Sequence, residues 1–468
     1  MKTITFAVIL GTALVLNAQE KTNQTALPPP LTLEARCGVP FGDHAVLQQG
    51  MPVSVWGWTL PGAKVIVSFD QQSQTATAGA DGSWRVKLAP LTADKLKTVN
   101  DVMPGHTLTI ATELDGKKAS KVFTDILVGE VWMCSGQSNM AAKFGSSVYP
   151  PGSSVPANFP ALRNFTTNWT VCAPQTVGGF YRAAVSFGCE IQRETLVPVG
   201  LLSAAWAGTS IEGWFADFPP TIKYRCFEAK IQPLVGYTMR GNLWYQGEAN
   251  VKDGQGYMAK MKRLIEGWRK LWEQGDFPFY FVQLAPIYQP VNVPAGGDGR
   301  AAIRQAQIDA LSITNTGMAV TLDIGAEKEH PANKHDIGLR LARWALNRDY
   351  GRKEIVTSGP LYKSHQIEGS AVRIRFDYAQ NGLMLAKKSG YNAPEPTPGA
   401  PMPWLSIQAK DGTWHWADGR VEGSELVVSS KDVKEPVAVR YAYTTQPIGC
   451  NLYNKEGLPA APFTTCGY

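Results

Sequence analysis

The chain has 468 residues, 45 Lys and Arg against 39 Asp and Glu, and a formal charge of +6. That length holds about two to four folded units, and the mild positive excess, spread without a basic block, argues against nucleic acid as a partner. The seven cysteines, at 37, 134, 172, 189, 226, 450 and 466, show no metal-ligand spacing. Their odd count leaves at least one thiol unpaired. Cys134, at the end of an apolar run, is the expected free thiol, and pairing Cys450 with Cys466 is one way to staple the C-terminus.

Residues 1–18 read as a signal peptide: Lys2, an apolar run from Ile4 to Leu16, and Ala18 as the small residue before cleavage. The run is too short for a membrane anchor, and no later segment is long and apolar enough to span a bilayer. The expected location is therefore secreted or periplasmic. Residues 30–124 alternate with period two through Val53, Val55, Val65, Val67, Trp84, Val86, Leu108 and Ile110, which predicts an N-terminal β domain. Asp81-Gly82 is the expected hairpin turn between two of its strands.

Residues 125–350 change period. Apolar strand-like runs at Leu127 to Met133, Val197 to Ala205, Asn242 to Tyr245, Phe279 to Leu284 and Met318 to Leu322 alternate with helical segments. The clearest helix carries Tyr257, Met261, Leu264, Ile265, Trp268, Leu271 and Trp272 on one stripe. A second begins after Pro331. This alternation predicts an α/β domain with a mostly parallel sheet covered on both faces and an active site outside the carboxyl ends of the strands. Residues 351–468 return to period two and predict a C-terminal β domain, with a hairpin at Asp411-Gly412.

Polar groups cluster at four strand ends. The stretch Gly129 to Met140 reads Gly-Glu-Val-Trp-Met-Cys-Ser-Gly-Gln-Ser-Asn-Met, an apolar strand that ends in a small polar turn presenting Ser138. Further on come Trp206-Ala-Gly-Thr-Ser210, Trp244-Tyr-Gln-Gly-Glu-Ala-Asn250, and Asp323 to Pro331 with His330 and acids before it. A serine, a histidine, an acid and N–H donors at one sheet edge are what acyl transfer requires. The plainer reading of Ser138 is a capping residue in a polar loop.

These segments, from Gly129 to Met140, Trp206 to Trp214, Leu243 to Asn250 and His330 to Lys334, resemble the signatures of the sialate O-acetylesterase family within the SGNH hydrolases. Val46 to Trp58 resembles the family's N-terminal β region, and Val439 to Tyr443 with Asn451 to Phe463 its C-terminal one. The resemblance implies a three-layer SGNH-like domain flanked by β-sandwich-like domains. It also implies a serine-dependent carbohydrate O-acetylesterase acting on O-acetylated sialic acid or another acetylated glycan, with no metal or organic cofactor. It places the nucleophile on Ser138 and the general base on His330. The oxyanion hole falls to the backbone N–H groups of Ser138 and Gly208 and the side-chain amide of Gln246.

Three positions depart from the pattern. Ala207 stands where a glycine is usual, and the interval from Trp214 to Gln246 is shorter than in many relatives. The position three residues before the histidine, usually Asp, is Glu327, so Glu327 is the expected acid partner, with Asp323 or a backbone carbonyl as alternatives. The same motif set resembles acetylxylan esterases. A carbohydrate-binding protein with a degenerate hydrolase core is the reading from another class. Plainer roles compete elsewhere: His330 or the nearby His335 as a surface histidine on a helix, with the Pro331 junction favouring His330 for the site, Glu248 as a structural carboxylate rather than a second acid, and Trp132, Trp206 and Trp244 as strand core rather than sugar platforms.

Overall fold

The computed structural model describes residues 30–145, 158–218, 221–287, 292–297, 299–325 and 330–466. The expected signal peptide lies outside them. Among the described residues no helix is long and apolar enough to cross a membrane.

The architecture is mixed α/β with several sheets. The central one contains Lys117–Gly136 (β1), Phe159–Phe165 (β2), Trp169–Cys172 (β3), Val199–Ala205 (β4), Gly241–Tyr245 (β5), Phe279–Val282 (β6) and Thr316–Ala319 (β7). Its spatial order is β3-β2-β4-β1-β5-β6-β7, parallel throughout except for β3 on β2. From β1 the chain first fills one side of the sheet with β2, β3 and β4 and then the other with β5, β6 and β7, so the strand order reverses at β1. The crevice for a ligand opens at the carboxyl ends on either side of such a reversal.

Alternate residues of these strands enter two separate apolar clusters. Val131, Met133, Leu202, Trp244, Phe279 and Phe281 pack with Tyr257–Trp272 and Gly299–Asp309. Trp132, Cys134, Leu201, Leu243, Tyr245 and Tyr280 pack with Arg182–Thr195 and His335–Arg348. One helix pair thus covers each face, which the near-continuous apolar strands require. The predicted stripe on Tyr257–Trp272 is the buried one, and Trp268 packs edge-on to Trp244 with centroids 5.9 Å apart. Removing a buried indole of this kind costs about 3–5 kcal/mol.

The expected boundary between residues 124 and 125 falls inside one strand. The first part of β1 pairs antiparallel with His106–Leu114, and the second part is the centre of the parallel sheet. Asp125 marks the bend with φ +53°, held by the Arg163 guanidinium and by His44. The expected hairpin at Asp81-Gly82 is corrected. Gln72–Thr77 pairs with Lys64–Phe69 and Ser83–Leu88 with Val53–Trp58, so this turn carries the chain from one sheet to another. The Asp411-Gly412 hairpin does join paired strands, Leu405–Ala409 and Trp414–Trp416.

The proposed staple is also corrected, since Cys450 and Cys466 are not joined in a disulfide. Cys466 Sγ lies 3.3 Å from the Thr464 hydroxyl, whereas Cys450 is buried against the Tyr441 hydroxyl. The Cys134 thiol is fully buried and pushed up by that burial.

Candidate active site

Three strand ends are locked side by side at Gly136, which pairs in register with Ala205 on one side and Tyr245 on the other. Trp206 N donates to Gly136 O at 2.9 Å, and Gln137 N to Tyr245 O at 3.0 Å. Gly136 has φ +131°, and a Cβ there would meet Tyr245 O at 2.2 Å, so only glycine permits this exit. The exit leads into a single helical turn, Ser138–Ala141. The first residue of a helix has no intrahelical acceptor for its N–H, which leaves the Ser138 N–H free to face a ligand.

Ser138 Oγ and His330 Nε2 are 3.0 Å apart, the distance at which a hydroxyl donates to a neutral imidazole. Ser138 is half-buried and His330 exposed, so the pair sits at the rim of the sheet. Gly208, also exposed, has φ +70° with nothing within 4 Å of a built Cβ, which leaves the turn after β4 open. Glu327 lies outside the described residues. Among them no group bonds His330 Nδ1.

Asp323, the alternative acid, is committed elsewhere. It is buried, and its carboxylate accepts from Arg340 Nη1 and Nη2, each at 2.7 Å. His335 is likewise apart from the serine: its Nδ1 lies 3.2 Å from the Ser186 hydroxyl, and burial lowers its basicity.

Gln246 does not fit the donor role that the resemblance implied. It is fully buried. Its Nε2 faces Gln137 Oε1, Thr209 O and Asn250 Oδ1 at 2.8–3.1 Å, and its Oε1 accepts from the Tyr257 hydroxyl. The amide is spent on bracing the strand ends. Gln137, missed as a site residue, is the complement: its Oε1 accepts from Gln246 Nε2 and Ala249 N, while its Nε2 has no acceptor among the described residues. Asn250 extends the brace by accepting from Ile211 N and donating to Glu212 and Asp253. Burial works against the Glu212 carboxylate, but Lys260 and Asn250 hold it down at about 2.

Beneath Ser138 lies a second buried set. Asn139 Nδ2 donates to Glu248 Oε1, and Lys334 Nζ donates to Asn139 Oδ1 at 2.6 Å. Glu248 is therefore a structural carboxylate in this arrangement, raised above its usual range by burial. All of these residues fall inside the motif segments, and their polarity amid apolar neighbours was the available signal. Of the tryptophans, Trp132 and Trp244 are core, whereas Trp206 is 36% exposed at the tip of the β4 turn. A cavity of about 770 Å³ opens beside the strand end that leads to His330, with Leu322, Gly325, Met402, Pro403 and Ile448 among its walls.

Residues 128–347 match the family model described as carbohydrate esterase, sialic acid-specific acetylesterase. The chain is 26% identical to the sialate O-acetylesterase of Pongo abelii, over 93% of this chain and 95% of the relative. It is 25% identical to that of Homo sapiens with the same coverage. Among solved structures it resembles a carbohydrate acetylesterase from Xanthomonas citri, with a TM-score of 0.80 and 29% identity over 93% of this chain and 100% of the other. The chain is thus an esterase hydrolase. Its similarity through residues 128–347 is to the carbohydrate esterase family of sialic acid-specific acetylesterases.

Proposed function

We propose that this chain is an exported O-acetylesterase that removes acetyl groups from sugars, O-acetylated sialic acids first among them, through an acetyl-enzyme on Ser138. The observation that carries the reading is the 3.0 Å approach of Ser138 Oγ to His330 Nε2 at the reversal point of a parallel sheet. Ser138 Oγ attacks the acetyl carbonyl while its proton passes to His330 Nε2. The tetrahedral oxyanion collapses, the C–O bond to the sugar breaks, and His330 returns the proton to the departing sugar oxygen. Water then attacks the acetyl-enzyme with His330 again as base, releasing acetate and restoring the serine.

In this reading the oxyanion is held by the N–H groups of Ser138 and Gly208. Gln137 Nε2, unlike the spent amide of Gln246, is available as a third donor. Each such donor is worth about 2.7–4 kcal/mol in the transition state. Glu327 orients His330. The sheet with its two helix pairs is the three-layer core of an SGNH-type domain, residues 125–350, flanked by β-sandwich-like domains at 30–124 and 351–468.

The test is acetate release, measured side by side on an O-acetylated sialoglycoprotein and on acetylated xylan, with wild type and Ser138→Ala. Serine-dependent release from the sialoglycoprotein at the higher kcat/KM is expected. Preference for xylan overturns the substrate, and release that survives Ser138→Ala overturns the mechanism.

A further inference from the structure

The lysine of the His330 to Lys334 segment has no part in the proton transfers above, yet it is the most deeply buried cation near them. Lys334 is 1% exposed. Its Nζ donates to Asn139 Oδ1 at 2.6 Å and to Pro331 O at 2.7 Å, and it stands 5.4 Å from the centroid of the Tyr245 ring. Asn139 follows Ser138 in the chain, and Pro331 follows His330. The two neighbours of the reacting pair are therefore joined underneath by one ammonium group, while Ser138 and His330 meet above it at 3.0 Å. The result is a closed ring of three hydrogen bonds and short covalent links, spanning two loops far apart in sequence.

We propose that Lys334 is a positioning residue that sets the distance and angle between Ser138 and His330 by bridging Asn139 and Pro331, with Glu248, bonded to the same asparagine, as its counter-charge. This rests on the reading of Ser138 and His330 as the reacting pair. The physical need is plain. Ser138 is fixed by the strand exit at Gly136, whereas His330 is exposed, on a segment between the end of β7 and the helix that starts at His335. Nothing else among the described residues ties the backbone beside His330 to the backbone beside Ser138. Small misplacements of reacting groups cost about 100-fold in rate.

The charge of the bridge matters as much as its length, because ammonium hydrogen bonds are charge-assisted. Burial pushes Lys334 down to about 7, with Glu248 pulling the other way and Arg182 adding to the depression. Glu248 is raised by burial, opposed by Asn139, Lys334 and Arg300. The remaining face is the Tyr245 ring. The ammonium form, which donates most strongly, is lost as the pH rises through about 7, so an alkaline limb in kcat is expected.

The experiment measures kcat and KM for a small aryl acetate across pH in wild type, Lys334→Met, Asn139→Ala and the double variant, with circular dichroism to establish folding. Each single variant should lose tenfold or more in kcat with KM within threefold. The double variant should be no worse than the poorer single, because both remove one bridge. The alkaline limb of the wild type should be absent from Lys334→Met. A folded Lys334→Met with kcat within threefold of wild type, or with an unaltered pH profile, overturns the proposal. If Lys334→Met does not fold, Asn139→Ala decides: it keeps the lysine and removes its acceptor, and unchanged kcat in this variant is the overturning result. Ser138→Ala run in parallel separates the two levels. Activity surviving in Ser138→Ala refutes the reacting pair itself, whereas its loss beside a wild-type-like Lys334→Met refutes the bridge alone.

Discussion

Asp323 and Arg340 form a buried, two-pronged ion pair, with both guanidinium nitrogens 2.7 Å from the carboxylate oxygens. The pair joins the segment after β7 to the helix that follows His330, and it removes Asp323 from the competition to orient the imidazole. Asp323→Asn should therefore act on stability: breaking one partner of a buried pair costs about 3–5 kcal/mol, read as a lowered melting temperature. The kcat of the folded enzyme should stay within a few-fold of wild type. Glu327→Gln should do the reverse, lowering kcat sharply with little change in melting, since an amide behind the histidine imposes the wrong tautomer and costs about 10⁴-fold in an Asp-based triad. Wild-type turnover in Glu327→Gln would show that a backbone carbonyl orients the ring.

Ser138→Ala should abolish hydrolysis of a small aryl acetate while melting as the wild type does. Among the described residues the hydroxyl makes one side-chain hydrogen bond, to His330, so its loss should have little structural cost. Activity within tenfold of wild type is the contrary result. Incubation with EDTA should leave the rate unchanged; loss restored by a divalent ion would indicate a metal-dependent deacetylase instead.

The two glutamines should separate cleanly. Gln246→Leu removes a fully buried amide bonded to Gln137, Thr209, Asn250 and Tyr257. It should lower the melting temperature by several degrees, with buried partners left unpaired at about 1–3 kcal/mol each. Gln137→Ala should melt close to wild type and lose about 10²–10³ in kcat, the usual effect of deleting an oxyanion donor. If Gln137→Ala retains full kcat, the hole consists of backbone donors alone.

Asp349 offers a test of burial far from the site. It caps His335–Arg348, accepts from the Tyr280 hydroxyl at 2.7 Å, and is raised by burial to about 6. A carboxyl raised on folding favours the folded state below its unfolded value, and that contribution is lost as pH rises through about 6. Asp349→Asn should therefore stabilise the protein at pH 8, by on the order of 1–3 kcal/mol, and leave it unchanged or weaker at pH 5. Equal effects at both pH values would contradict the assignment.

Much of the fold was legible where a single physical rule governs a segment. The stripe on Tyr257–Trp272 and the apolar runs of β1, β4 and β5 follow from burial on one or both faces. Strands β2 and β3 were not expected, because Arg163 and Asn164 break the apolar run of β2. In the fold their polarity is absorbed by Asp125 and by the Ser203 hydroxyl, partners that no local pattern reveals. The Asp81-Gly82 turn has the right residues for a hairpin, but sheet membership depends on pairing with Val53–Trp58, a long-range choice. Of the candidate site, the approach of Ser138 to His330 was legible because isolated polar residues at strand ends stand out. The true bonding of Gln246 was not, since an amide's partners are set by three dimensions rather than by its position in a motif.

The bend at Asp125 joins two structures in one β1 strand, and this has a bearing on how the chain is made. As synthesis passes residue 136, the first part of β1 already has its antiparallel partner, His106–Leu114. Leu127 to Gly129 also have a partner made earlier, the parallel segment Val46–Gln48, whereas Glu130 to Gly136 must wait for β4 and then β5. During that interval the end of an apolar strand is held in extended form by its paired beginning, with most of its own backbone hydrogen-bonding groups still without their final partners. That is the geometry most prone to pairing with another chain. Expression yield should therefore be sensitive to the apolar stretch from Glu130 to Gly136.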